Sequence, residues 1–177
     1  MREEIQEKLR IFRIYNDIAL KNEIVIYGST YTANFPFYEM AQQYRFSNAV
    51  YNRSIPGLTL AEAEESLDDC ILPLHPSKVF LALGEQDLQT PDALQVYERI
   101  LCRLCQKLPN TVIYVLSVPD SRADKFNKAL AELCAGRVIF LSIGQETAQS
   151  CGSVFRRLVP FFRKHRISFA EAFQACV

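Results

Sequence analysis

The feature that most constrains this chain is a set of short apolar runs, each closed by a turn residue and followed by a stretch long enough for a helix. Glu23-Ile-Val-Ile-Tyr27 stops at Gly28, and Lys78-Val-Phe-Leu-Ala-Leu83 stops at Gly84. Thr111 to Ser117 is a third apolar run. Runs of this length without polar alternation read as strands covered on both faces. Arg137-Val-Ile-Phe-Leu141 and a weaker run through Asn48-Ala-Val-Tyr51 bring the strands to five. The intervening segments carry helical spacing. Ile5, Leu9, Phe12 and Ala19 predict a leading amphipathic helix over residues 3–20. Further helices are predicted over about 35–44, over 59–70, from Thr90 to Lys107, and over 121–134, where Gly136 ends the last of them. Thr59 with Glu62 three positions on is a capping box, and Thr90-Pro91 offers a cap and a first helical residue. One or two helices near 152–163 and 168–176 close the chain.

Strands separated by helices need right-handed crossovers, which place helices on both faces of a parallel sheet. The class is therefore a three-layer α/β fold. At 177 residues it is expected to be a single domain over 1–177, with the 1–20 helix packed on it.

Charge and composition exclude several functions. Lys plus Arg and Asp plus Glu both count 20, so the basic excess of a nucleic-acid binder is missing. No apolar run approaches the roughly 20 residues that span a bilayer. Met1 to Arg10 carries charges of both signs and lacks the apolar core of a signal peptide, so a cytoplasmic location is expected. Six cysteines are present, of which Cys102 and Cys105 match C-x-x-C. They fall in the middle of a helical pattern, whereas a redox pair needs a helix N-terminus to depress its thiol pKa. No second pair completes a zinc site, so neither metal nor cofactor is expected.

In open parallel sheets, ligands bind beyond the carboxyl ends of the strands. That rule selects four turns: Gly28-Ser29-Thr30-Tyr31-Thr32, Asn52 to Gly57, Gly84-Glu85-Gln86-Asp87, and Ser117-Val118-Pro119-Asp120. Together they offer hydroxyls, a glycine and an amide beside an acid, which suits acyl transfer. A hydroxyl at a strand-to-helix turn attacks, while a glycine N–H and an amide side chain hold the oxyanion. Plainer readings exist for each part. Gly28-Ser29-Thr30 is also an ordinary turn and cap, and it lacks the spaced glycines and the Lys of a phosphate loop. Tyr31 and residues 35–38 either floor a substrate pocket or belong to the core. The aromatic and basic interleaving of Phe155-Arg156-Arg157 and Phe161 to Arg166 is either a helix with one buried face or a surface for an anionic partner.

The order and content of these turns resemble the SGNH hydrolases, also called the GDSL esterase/lipase family, over about residues 23–143. Gly28-Ser29-Thr30 stands where the family has Gly-Asp-Ser, placing Thr30 at the nucleophile with Ser29 beside it. Asn52-Arg-Ser-Ile-Pro-Gly57-Leu-Thr59 matches the second block, with Gly57 at the oxyanion glycine. Gly84-Glu85-Gln86-Asp87 matches the third, with Gln86 at the oxyanion amide. The resemblance implies a flavodoxin-like, five-stranded sheet ordered 2-1-3-4-5. It also implies an ester hydrolase acting without metal or cofactor on a small acylated or acetylated substrate, with Tyr31 and Asp87 as substrate-binding residues.

The chain departs from the family at its chemistry. No Asp occurs after Asp124, so the family's Asp three residues before a catalytic His is missing; His165 stands near the expected place with Phe162 three residues earlier. His165, Glu146 and Asp87 are the candidate bases. His75, the other histidine, precedes the third strand and is expected at the opposite end of the sheet. Thr is stiffer at χ1 than Ser, and Gln displaces the amide by one methylene. The same scaffold used for binding, with a protein partner or a second copy engaged at the crevice or at Phe161–Arg166, is the alternative to an active esterase.

Overall fold

The computed structural model describes residues 1–46, 48–144 and 151–162. Five strands, β1 (Ile24–Gly28), β2 (Val50–Asn52), β3 (Lys78–Ala82), β4 (Val112–Leu116) and β5 (Val138–Leu141), form one sheet in the order β2-β1-β3-β4-β5. Every pairing is parallel, with Ile24 opposite both Val50 and Lys78, Lys78 opposite Val112, and Ile113 opposite Val138. All five expected strands form. The weakest begins two residues late, at Val50 rather than Asn48.

The helices are α1 (Glu3–Ile18), α2 (Thr30–Ala33), α3 (Phe37–Gln43), α4 (Leu60–Glu65), α5 (Leu67–Cys70), α6 (Ala93–Lys107), α7 (Asp124–Leu133) and α8 (Cys151–Phe162). The two-residue period of the strands divides the core between two layers. Val25, Tyr27, Val79, Leu81, Ile113 and Val115 face α1 and the α4–α7 side, where Ile5, Leu9, Leu60, Tyr97 and Leu104 are buried. Ile24, Ile26, Phe80, Tyr114 and Leu116 face α3 and α8. There the Phe162 ring stacks on Phe80 at 4.5 Å, and Phe80 on Tyr114 at 4.7 Å.

Four helical segments depart from expectation. The helix expected from residue 35 is two short ones, because Pro36 lacks an N–H and interrupts the ladder before Phe37. The 59–70 segment breaks at Ser66, whose hydroxyl donates back to the Glu62 carbonyl at 2.6 Å and meets the Tyr27 hydroxyl at 2.7 Å. The capping box at its start is formed in full by Thr59 and Glu62. Thr90 does not cap α6. Its N–H donates to the Asp87 carbonyl and its carbonyl accepts from Ala93, so the chain turns first and the helix opens at Ala93. Residues Ser121–Ala123 form a 3₁₀ turn ahead of α7.

Cys102 and Cys105 lie within α6, away from any helix N-terminus. Among the described residues no cluster of His, Cys, Asp and Glu is able to hold a metal ion, and no helix is long and apolar enough to cross a membrane. The helix expected over 168–176 lies outside the described residues.

Candidate active-site crevice

The crevice is built by glycine at the end of β1. A Cβ on Gly28 would stand 2.2 Å from the Thr32 hydroxyl and 2.5 Å from the Ala82 carbonyl oxygen, so only glycine lets α2 close against β3. Ser29 then donates its N–H to the Ala82 carbonyl at 3.0 Å. Its own hydroxyl is fully buried and has no hydrogen-bond partner among the described residues. The next residue, Thr30, is half-buried and stands at the rim. Of the two hydroxyls expected at the nucleophile position, Thr30 is the one that opens on a cavity.

The loop after β2 is tied along the end of β1. Arg53 N–H donates to the Ile26 carbonyl at 2.8 Å, and Ile55 N–H to the Gly28 carbonyl at 3.0 Å. The Asn52 amide donates to the Thr32 carbonyl at 2.9 Å and accepts from Ser54 N–H at 3.0 Å, fixing the turn from both sides. Gly57 follows at φ +70°, the left-handed region where glycine is at ease. Its N–H donates to Thr30 Oγ1 at 2.9 Å. Arg2, just ahead of α1, holds the other side of this glycine by donating to its carbonyl at 2.5 Å and to both oxygens of Glu62.

The loop after β3 contributes the charge. Gly84, at φ +103°, leaves no room for a side chain beneath the Phe126 ring. Glu85 then turns its carboxylate onto the first turn of α2, where both oxygens accept from Tyr31 N–H at 3.1 and 3.2 Å. Gln86 is exposed and borders the same cavity as Thr30. That cavity, about 440 Å³, is walled by Thr30, Tyr31 and Phe35 on one side, Glu85 and Gln86 on another, and Val118, Pro119 and Asp120 from the turn after β4. Arg122 also borders it and is bound to Asp120, with Nη2 to Oδ2 at 2.6 Å and Nε to Oδ1 at 3.0 Å.

The structure therefore brings together Thr30, Gly57, Gln86 and Tyr31, as three separate turns of the chain. Asp87 stands apart. It is buried, and its Oδ2 accepts from Leu60 N–H at 3.0 Å, closing the first turn of α4 rather than lining the cavity. Burial pushes its carboxyl pKa up, against the opposing pull of that N–H. His75 is at the amino end of the sheet, where its carbonyl accepts from Asn22 N–H two residues before β1. Phe35 borders the cavity and Phe37 packs in the core, while Tyr38 is exposed and accepts from Asn52 N–H at 3.3 Å. His165 and Glu146 lie outside the described residues.

Several solved structures share this architecture. A protein of Streptococcus pneumonia named for platelet activating factor superposes with a TM-score of 0.78 at 19% identity, over 90% of this chain and 93% of its own. A GDSL-like lipase from Bacteroides thetaiotaomicron gives 0.64 at 12% identity, over 96% and 98%. A psychrotrophic esterase from Pseudoalteromonas gives 0.58 at 15% identity, over 88% and 97%. The fold is that of the SGNH/GDSL hydrolases. No family model matches the chain, and no curated protein matches it in sequence.

Two residues that matter here escaped the sequence reading. Glu85 falls between Gly84 and Gln86, and its acidity in a turn beyond the end of β3 is the available signal. Arg53, in the turn after β2, is only 3% exposed. Its guanidinium lies 4.9 Å over Phe12 and 5.4 Å over Tyr51, and donates to Asn16 Oδ1 at 3.1 Å. It pins α1 to the end of β2.

Proposed function

We propose that this chain is a non-catalytic ligand-binding protein on an SGNH hydrolase scaffold. The observation that carries the reading is the Glu85 carboxylate seated on the first turn of α2, next to Thr30. An acyl-transfer oxyanion develops at this place and needs donors and positive potential. A resident carboxylate opposes it. The Thr30 hydroxyl already accepts the Gly57 N–H, which would have to turn to the oxyanion. No histidine of the described residues lies at this end of the sheet, since His75 is at the other. A Thr hydroxyl without a base is a poor nucleophile.

The convergence of Thr30, Gly57 and Gln86 favours a second reading, an atypical esterase for small acyl or acetyl esters. In that case Thr30 attacks, and Gly57 with Gln86 holds the oxyanion. Hydrolysis of a short-chain nitrophenyl ester by the wild type and by Thr30→Ala decides between them. The binding reading expects rates at the buffer background for both proteins. Turnover that Thr30→Ala abolishes overturns it and establishes the esterase.

A further inference from the structure

We infer that the outer face of α1 is the interface of a two-fold symmetric homodimer, in which α1 packs antiparallel on α1 of a second copy with Ile14 near the axis. Among the described residues, large apolar side chains are exposed at seven positions, and four of these, Ile14, Tyr15, Ile18 and Leu20, fall within one short stretch of chain. Ile14 is 61% exposed and Ile18 83%. Single exposed apolar side chains are ordinary, whereas a contiguous group of them marks a surface that something covers. The helical repeat explains the grouping. Ile5, Leu9, Phe12 and Asn16 form the buried side of α1. Ile11, Ile14 and Ile18, spaced by three and four residues, form a second stripe on the outward side, with Tyr15 along its edge. Leu20 extends the stripe past the helix end, fixed there by its N–H on the Tyr51 hydroxyl at 2.8 Å.

The charges around the stripe point to a second copy as its cover. Arg10 and Asp17 are exposed, lie on the same flank of the stripe and stand two helical turns apart. A two-fold axis near Ile14 brings Arg10 of each copy within about 1.5 Å, one residue's rise, of the height of Asp17 of the other. Two opposite-charge pairs then flank the seam, as flanking positions do in helix pairs, and Ile11 falls beside Ile18 of the second copy. The face is complementary to itself, which an isologous contact requires. Glu3, Glu4 and Glu7 come to lie beyond the second copy's last helical turn, whereas a parallel pair sets the glutamates of both copies side by side. A membrane surface asks for a basic polar face. This one carries Glu3, Glu4, Glu7 and Asp17 against Lys8 and Arg10, Arg13 being held by Asp69 at 2.7 Å. One helix face per copy is smaller than the usual interface of about 800 Å² per partner, so the expected dissociation constant is about 1–100 μM.

The test is sedimentation equilibrium of the full chain in low salt, over a concentration range that brackets that constant. A reversible monomer–dimer equilibrium is expected. Ile18→Glu changes a side chain outside the core, so it should leave the urea midpoint unchanged while weakening the dimer at least about thirtyfold. Arg10→Asp and Asp17→Arg each set like charges opposite one another and should each weaken it about five- to tenfold. The double variant Arg10→Asp/Asp17→Arg restores both pairs with their signs exchanged, and should return to within about threefold of the wild type. Rescue of that kind requires the two residues to meet across the interface. Should Ile18→Glu lower the urea midpoint, the charge-reversal set decides alone. A monomer at every concentration, a dimer that Ile18→Glu leaves intact, or a double variant as weak as the singles overturns the inference. So does a monomeric chain that co-sediments with phosphatidylcholine–phosphatidylserine vesicles, which assigns the stripe to a membrane. The contact is remote from the crevice chemistry, and ester turnover or its absence does not bear on it.

Discussion

Gly57 N–H and Thr30 Oγ1 meet at 2.9 Å across 27 residues of chain, joining the turns after β2 and β1. The glycine is held on its other side by Arg2, so the N-terminus of the chain, the β2 loop and the rim of the crevice form one connected unit. Ile55 N–H on the Gly28 carbonyl adds a second tie between the same two turns.

That hydrogen bond gives a stability prediction separate from any activity. Thr30→Val keeps the shape of the side chain and removes the acceptor, leaving the Gly57 N–H without its partner. The expected cost is about 1–2 kcal/mol. Thr30→Ser retains the acceptor and should stay within about 0.5 kcal/mol of the wild type. Urea denaturation midpoints of the three proteins check both values.

The turn geometry explains how much of the molecule could be read from its residues. Buried parallel strands advertise themselves by unbroken apolar runs, so Ile24–Gly28, Lys78–Ala82 and Val112–Leu116 were visible at once. Thr59 and Glu62 were equally visible, because a capping box is local in sequence. Thr90-Pro91 has the same local appearance, yet the Asp87 carbonyl takes the Thr90 N–H and delays the helix. That competition is local, three residues back, and a Thr-Pro pair does not reveal it. Glu85 and Asp87 are hidden for another reason: Glu85 meets Tyr31 across 54 positions, and the burial of Asp87 under α4 is determined only by the fold.

Glu62 should make the stability depend on acid. Its side chain accepts from Arg2 and from Thr59, and these bonds, the Arg2 one foremost, lower its carboxyl pKa to about 2. A folded-state pKa below the unfolded value of about 4.3 means the contribution is complete above the unfolded pKa. It is lost as pH falls from about 5 towards 2. Glu62→Gln should therefore be less stable than the wild type at pH 7, with the gap narrowing through that window and closing at its lower end. Parallel urea titrations at pH 7, 4 and 2.5 read the difference, and a gap independent of pH would assign the effect to packing.

Arg53 presents a buried cation without a carboxylate among the contacts described for it. Burial lowers its guanidinium pKa, while it remains charged at neutral pH. Its Nε has no hydrogen-bond partner among the described residues. Arg53→Ala removes the packing against Phe12 and Tyr51 and leaves a void beneath α1, at a cost of about 2–4 kcal/mol. Arg53→Met fills much of that void with an apolar side chain and removes the unsatisfied N–H. It should fall within about 1 kcal/mol of the wild type. Chemical denaturation of the two variants compares them, and equal losses would mean that the charge, not the volume, holds α1.

Gly28 is the position at which a single methyl group should do most damage to the crevice. A Cβ there meets the Thr32 hydroxyl at 2.2 Å, the Ala82 carbonyl oxygen at 2.5 Å and the Ala82 Cβ at 2.9 Å. The Thr32 hydroxyl is the end of a side chain and can rotate away. The Ala82 carbonyl cannot, because it accepts Ser29 N–H at 3.0 Å at the end of the β1–β3 ladder. Gly28→Ala must then spread β1 from β3, with an overpacking cost of about 3 kcal/mol. Gly136→Ala is the matched control. It also adds one methyl, at φ +61° with nothing within 4 Å, so it should cost only the backbone strain of about 1 kcal/mol. In the double variant Gly28→Ala/Thr32→Ala, the side-chain clash is relieved and the carbonyl clash stays, so stability should recover only in part. Full recovery would locate the whole penalty at Thr32 and show that β3 yields to the added methyl.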